Sequence, residues 1–157
     1  MKKCFTVCLL LVFMAMASNG VCATYDNLVK NGDFESFDGS GPSSWRKFSS
    51  LPGWNGGSAG IEVQKSGVVA PAKSGNYLVE LDTYRNSSMT QALSLDPGDY
   101  LLSFWYRPRT DKKNDNTIRF SVGDLFTGSA LDVRDSQTGW EEVTRAFTVG
   151  SAGTFNL

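Results

Sequence analysis

Apolar and polar residues alternate along much of this chain. In residues 76–82 (NYLVELD), Tyr77, Val79 and Leu81 fall on one side of an extended backbone, and Leu78, Glu80 and Asp82 on the other. Residues 99–107 (DYLLSFWYR) set Tyr100, Leu102, Phe104 and Tyr106 against Leu101, Ser103, Trp105 and Arg107. Residues 117–122 (TIRFSV) turn Ile118, Phe120 and Val122 inward and Thr117, Arg119 and Ser121 outward. A period of two, rich in β-branched and aromatic side chains, marks strands with one face in a core. GIEVQ, SMTQALSL and EEVTRAFTV read as further strands. The connectors LDPGDY, GWNGGSAG and DKKNDN hold the Pro, Gly, Asn and Asp that tight turns require. No helical period is sustained beyond the N-terminal segment, so the pattern predicts an all-β, antiparallel sandwich or jelly roll. SAGTFNL, at the end, reads as one more strand just beginning.

The N-terminus has a different character. Lys2 and Lys3 precede an uninterrupted apolar run at residues 5–17, followed by SNGVCA with small residues at Val21 and Ala23. That is the layout of a secretory signal peptide, residues 1–23, cleaved after Ala23. The run is shorter than the roughly 20 apolar residues of a membrane-spanning helix, so no membrane span is expected. Asn19-Gly20-Val21 is a poor approach to a lipidated Cys22. Cleavage leaves residues 24–157 as a single secreted domain, extracellular or periplasmic. Cys4, Cys8 and Cys22 all lie in the leader, so the domain carries no disulfide and rests on its core.

Composition removes several function classes. Losing Lys2 and Lys3 takes the formal charge from −1 to −3, with no basic stripe, so nucleic acid is not an expected partner. The chain has no histidine, which excludes Ser–His–Asp and Cys–His catalysis and His-ligated zinc. Glu62 and Glu80 could form a glycosidase pair if their strands were neighbours. A small sandwich without long loops, however, offers no walled cleft in which to raise a carboxyl pKa. The expectation is a protein that is not an enzyme. Asn86-Ser87-Ser88 fits a glycosylation acceptor.

Binding chemistry is better represented. Sugars stack their C–H faces on aromatic rings and hydrogen-bond their hydroxyls to planar polar groups. Trp45 and Trp140 read as core. Trp54, among Gly53, Gly56 and Gly57, and Trp105, on the polar side of its strand with Ser103 and Arg107, read as contact residues for a glycan. Glu62, Gln64, Glu80, Asp82, Arg107 and Arg119 lie opposite the apolar residues of their strands. They are either the polar half of a binding face or the solvated side of a sandwich. Arg107 and Arg119 suit the carboxylate of an acidic sugar, or an ion pair with Glu62 or Glu80. In LVKNGDFESFDG, Gly32 can set a turn that buries Phe34 with Asn31, Asp33 and Glu35 in solvent; the same residues could instead hold a metal.

Five segments, in order, carry a resemblance: NLVKNGDFES, LPGWNGGSAGIEVQ, AKSGNYLVELD, SSMTQALSLDPGDYLLSFWYRPR and GWEEVTRAFTV. Together they resemble the galactose-binding-like jelly-roll superfamily, most closely the plant cell-wall family of unknown function 642 and its bacterial secreted relatives. They are similar, more distantly, to xylan- and glucan-binding modules that open with Asn-Gly-x-Phe-Glu. The resemblance implies a non-catalytic module that recognises a cell-wall or extracellular polysaccharide. It also implies a structural calcium between two loops, held by Asn31, Asp33 and Glu35 with Lys73 and Asn76. Such domains continue for two more strands, the last with an acidic residue near the domain's start, so this chain reads as a fragment or a shortened relative. An extracellular protein partner meeting the same face is the alternative.

Overall fold

A computed structural model describes residues 5–13, 26–81, 85–108, 117–132 and 139–157. Among these residues the chain forms thirteen strands and no helix. They are β1 (Phe5–Phe13), β2 (Trp45–Phe48), β3 (Ser50–Leu51), β4 (Trp54–Gly56), β5 (Ile61–Lys65), β6 (Tyr77–Glu80), β7 (Met89–Thr90), β8 (Ala92–Leu95), β9 (Gly98–Pro108), β10 (Thr117–Val122), β11 (Phe126–Asp132), β12 (Glu141–Val149) and β13 (Gly153–Asn156).

A six-stranded antiparallel sheet, ordered β12-β9-β1-β6-β5-β2, forms one layer. The second layer consists of three short sheets, β3-β4-β7, β13-β8 and β10-β11. The Gly123 N–H, between β10 and β11, donates to the Asn156 carbonyl of β13 at 2.7 Å and joins two of them. Gln91 and Leu157 exchange backbone hydrogen bonds at 3.0 and 2.9 Å, which extends the β13-β8 pair by one residue.

The core follows the alternation. Tyr100, Leu102, Phe104 and Tyr106 of β9 are buried with Ile61, Val63 and Val79 of the same sheet. They pack in one cluster with Leu51, Trp54, Leu93, Leu95, Ile118 and Val122 of the other layer. A chain of rings (Phe104, Phe120, Phe126, Phe147 and Tyr100) runs through the contact at centroid spacings of 5.0 to 6.1 Å. The Tyr100 hydroxyl donates to the Asp96 carbonyl at 2.8 Å. Burial pushes that hydroxyl above its ordinary pKa, the backbone hydrogen bond to Asp96 offsets part of the rise, and the Asp96 carboxylate adds to it.

The structure departs from the sequence pattern in three places. SMTQALSL is two strands, because Gln91 between them turns inward: its Oε1 accepts from the Lys30 N–H at 2.7 Å and its Nε2 donates to the Lys30 carbonyl at 2.9 Å. GWNGGSAG holds β4 rather than a bare turn, paired on both sides by β3 and β7. Most consequentially, Phe5–Phe13 of the apolar run read as the heart of a leader form β1, inside the large sheet between β9 and β6. The turn DKKNDN lies outside the described residues.

Candidate functional site

The N-terminal loop is built on backbone angles that few residues adopt. Asn31 and Phe34 have φ of 51° and 60°, in the left-handed region. Asn tolerates this region well and a bulky residue poorly. Surrounding contacts hold the loop there. Asn31 Oδ1 accepts from the Ser36 N–H at 2.9 Å, and its Nδ2 donates to the carbonyls of Ser36 and Pro52, each at 3.1 Å. The Asn31 carbonyl takes the Phe34 N–H at 3.2 Å and Trp54 Nε1 at 3.1 Å. The Phe34 ring is fully buried beside Trp54, with centroids 5.9 Å apart.

Glu35 then reaches the second loop. Its Oε1 accepts from the N–H groups of Asn76 and Tyr77 at 2.7 and 2.8 Å, and its Oε2 from Asn76 Nδ2 at 3.1 Å. Gly75, with φ of 65°, lets the backbone pass, since a Cβ there would run into the Glu35 carboxylate. Of the residues expected to hold calcium, Glu35 and Asn76 therefore converge. Asn31 and Asp33 do not: the first holds its own turn, and Asp33 Oδ1 accepts from the Glu35 N–H at 3.4 Å. Lys73 is expected there through its backbone carbonyl; its side chain lies over Trp105. Calcium needs six to eight oxygens, and here both Glu35 oxygens accept N–H groups and the Asn31 carbonyl accepts two more. In this arrangement those oxygens face N–H donors rather than a cation.

The expected polar face does assemble. Register places Lys47 beside Glu62 and Glu62 beside Glu80; Thr6 of β1 then stands between Glu80 and Arg107. One row along the strands, Trp45 pairs with Gln64 and Trp105 with Glu142. Paired residues point to the same side of a sheet, so Glu62, Glu80, Trp105 and Arg107 share a face. It is not the open face the sequence predicts. Glu62, Gln64 and Glu80 are 7%, 3% and 2% exposed. Gln64 Nε2 donates to Glu62 Oε1 at 2.7 Å and also to Glu80 Oε2, joining the two carboxylates.

A loop explains part of the cover. Residues 66–76 fold back on themselves, with the Ser66 N–H on the Asn76 carbonyl at 2.7 Å and the Ala72 N–H on Ser66 Oγ at 3.0 Å. Lys73 Nζ then sits 3.6 Å from the centre of the Trp105 ring, and Trp140 Nε1 donates to the Pro71 carbonyl at 3.0 Å. The Trp105 ring thus already has a cation over it from its own chain. Trp45 corrects the expectation of a core residue: it starts an edge strand on the polar side and is 49% exposed.

Two other expected contact residues stand apart from that face. Trp54 is 2% exposed and its N–H is committed to Asn31, so it is a wall of the core rather than a platform for sugar. The glycines around it serve the close pairing of β4, not a free loop. Arg119, on β10, belongs to the other layer. It is exposed at a cleft of about 540 Å³, lined also by Leu81, Asn86, Ser87, Ser88, Met89 and Ile118. Ser87 Oγ is buried with no hydrogen-bond partner among the described residues. The Ser87 N–H donates to the Leu81 carbonyl at 2.9 Å. A smaller cavity that shares Leu81, Met89, Ile118 and Arg119 reaches Trp54, Phe104 and Phe120. Asp82 lies outside the described residues. The sequence signal for the cleft was Asn86-Ser87-Ser88, which reads there only as a glycosylation acceptor.

No helix among the described residues is long and apolar enough to cross a membrane. No protein-family model, curated protein or solved structure matches this chain.

Proposed function

We propose that this is a secreted, non-catalytic β-sandwich that binds carbohydrate, with acidic sugars as the preferred class and the Arg119 cleft as the site. The observation that carries the reading is Arg119 itself, an exposed guanidinium at a cleft that combines hydroxyl and amide groups with the apolar side chains of Leu81, Met89 and Ile118. A guanidinium takes a carboxylate through two parallel hydrogen bonds. An apolar lining with a few polar groups is the usual make-up of a small-molecule site. Ser87 Oγ, buried and without a hydrogen-bond partner among the described residues, would gain a hydrogen bond from a sugar hydroxyl. Secretion rests on the leader pattern of the sequence.

The absence of catalysis is part of the same proposal. Glu62 and Glu80, the pair that suggested a glycosidase, are buried and tied together by the Gln64 amide. A substrate has no room between them. Titration of the protein with a polyuronate and with a neutral glucan tests the reading. Saturable binding of the polyuronate, weakened at least about tenfold by Arg119→Ala, is expected; a factor of ten is about 1.4 kcal/mol. Absence of binding to either polymer refutes it.

A second reading, a protein-interaction module, is favoured by one observation. Among the described residues the large exposed apolar side chains are Trp45, Val68 and Val69. Trp45 stands opposite Gln64 near the end of β5, and Val68 and Val69 lie in the turn that follows β5. Recovery of a protein partner lost on Trp45→Ala, with no glycan bound, would select this reading.

A further inference from the structure

We infer that residues 24–157 form a strand acceptor, whose site between β6 and β9 takes one extended, apolar, uncharged strand of about nine residues from another polypeptide. The argument begins with β1. Its residues, FTVCLLLVF, carry no charge, and they belong to the segment with the layout of a cleaved leader. Yet β1 is an interior strand, with nine residues in register with β9 and two with β6, antiparallel to both.

Cleavage after Ala23 would separate this strand from the chain. The sheet would then be divided into β12-β9 and β6-β5-β2. Two edges would face each other across two strand spacings, about 9–10 Å, which is the room one strand fills. Both edges run so that a single antiparallel strand satisfies them together. The β9 edge is long: residues 100–108 pair with β1 while residues 98–106 pair with β12 on the opposite side. Beside the gap lie Val79, Leu102 and Phe104, buried in the core cluster, and Leu78, buried on the opposite face beside Gln64. An unfilled gap would expose them along with a row of unpaired backbone groups, the combination that makes open edges bind other chains.

The chemistry of the occupant follows from what is seated there: extended, free of proline, uncharged and apolar. The strand acceptor rests on the leader cleavage of the proposed function, but it differs from the Arg119 cleft in place and in ligand, so the two binding tests read out separately.

The test places a protease site between Phe13 and Asp26 and cuts it after the full chain has folded. The leader fragment should remain with residues 24–157 under native conditions and leave in denaturant. A labelled peptide of residues 5–13, with Cys8→Ser and lysines added at its ends, should displace the fragment and saturate at one per chain. The same peptide with Leu9→Pro and Leu10→Pro, adjacent positions of which one donates its N–H towards β9, should fail to displace it. The proposal is overturned if the fragment elutes apart while the melting temperature of the remainder is unchanged, or if the proline peptide binds equally well. An oligomer of the cut protein that the peptide cannot dissolve would assign the site to a second copy and overturn it too.

Discussion

Glu35 accepts three N–H groups from a loop more than forty residues further along the chain. Hydrogen bonds to a charged group are worth about 1.5–3 kcal/mol each when broken one-sidedly, less where water can replace the partner. Glu35→Ala should therefore lower the unfolding free energy by about 2 kcal/mol in a urea titration. Gly75→Ala should also destabilise, because φ of 65° and the nearby carboxylate both oppose a side chain. With Glu35 already satisfied, the melting temperature is expected to be the same in calcium and in chelator. A rise in calcium, about 2.7 kcal/mol at a hundredfold excess over the dissociation constant, would restore the ion. The sequence placed Glu35 and Asn76 together correctly, through the resemblance. What it did not reveal is that the partners are N–H groups, because hydrogen-bond direction depends on loop angles such as φ at Asn31 and Phe34, which no alternation encodes.

At the level of elements, β6, β9, β10 and β12 were legible because each is long enough for a period of two to show. The short strands β3 and β4 were not: two or three residues carry no period, and Gly56 in β4 with Gly57 after it imitates a turn, while β7 was read only as part of one strand with β8. Register carried the polar face as well, since Glu62, Glu80, Trp105 and Arg107 needed only the right neighbours. Burial of that face was illegible, because a loop returning over a sheet leaves no mark on the strands beneath it. This changes what Trp105 does. Trp105→Ala should lower the melting temperature through lost contact with Lys73 while leaving polyuronate binding unchanged, as calorimetry and titration on one sample would show. Gln64→Leu removes the donor that joins two buried carboxylates, and a loss of about 1–3 kcal/mol is expected from urea unfolding.

The described residues form a sandwich whose two layers differ in kind: one large sheet, and three short sheets, two of them joined by the Gly123 N–H on the Asn156 carbonyl. Tyr100 reports on their contact. Its pKa is raised in the folded protein, so the folded state holds the proton more tightly than the unfolded chain. Its contribution is complete below the ordinary tyrosine value of about 10 and is lost as pH rises through the folded value. Stability should therefore fall in alkaline solution more steeply for the wild type than for Tyr100→Phe, read as melting temperature against pH. The Arg119 cleft belongs to the second layer and escaped a reading that looked for a site on the large sheet. Calorimetric titration of a polyuronate into the wild type and Arg119→Ala is the most direct measurement. Saturable binding by the first, weakened at least about tenfold in the second, is the predicted result. Equal affinity in both, or none in the wild type, would contradict it.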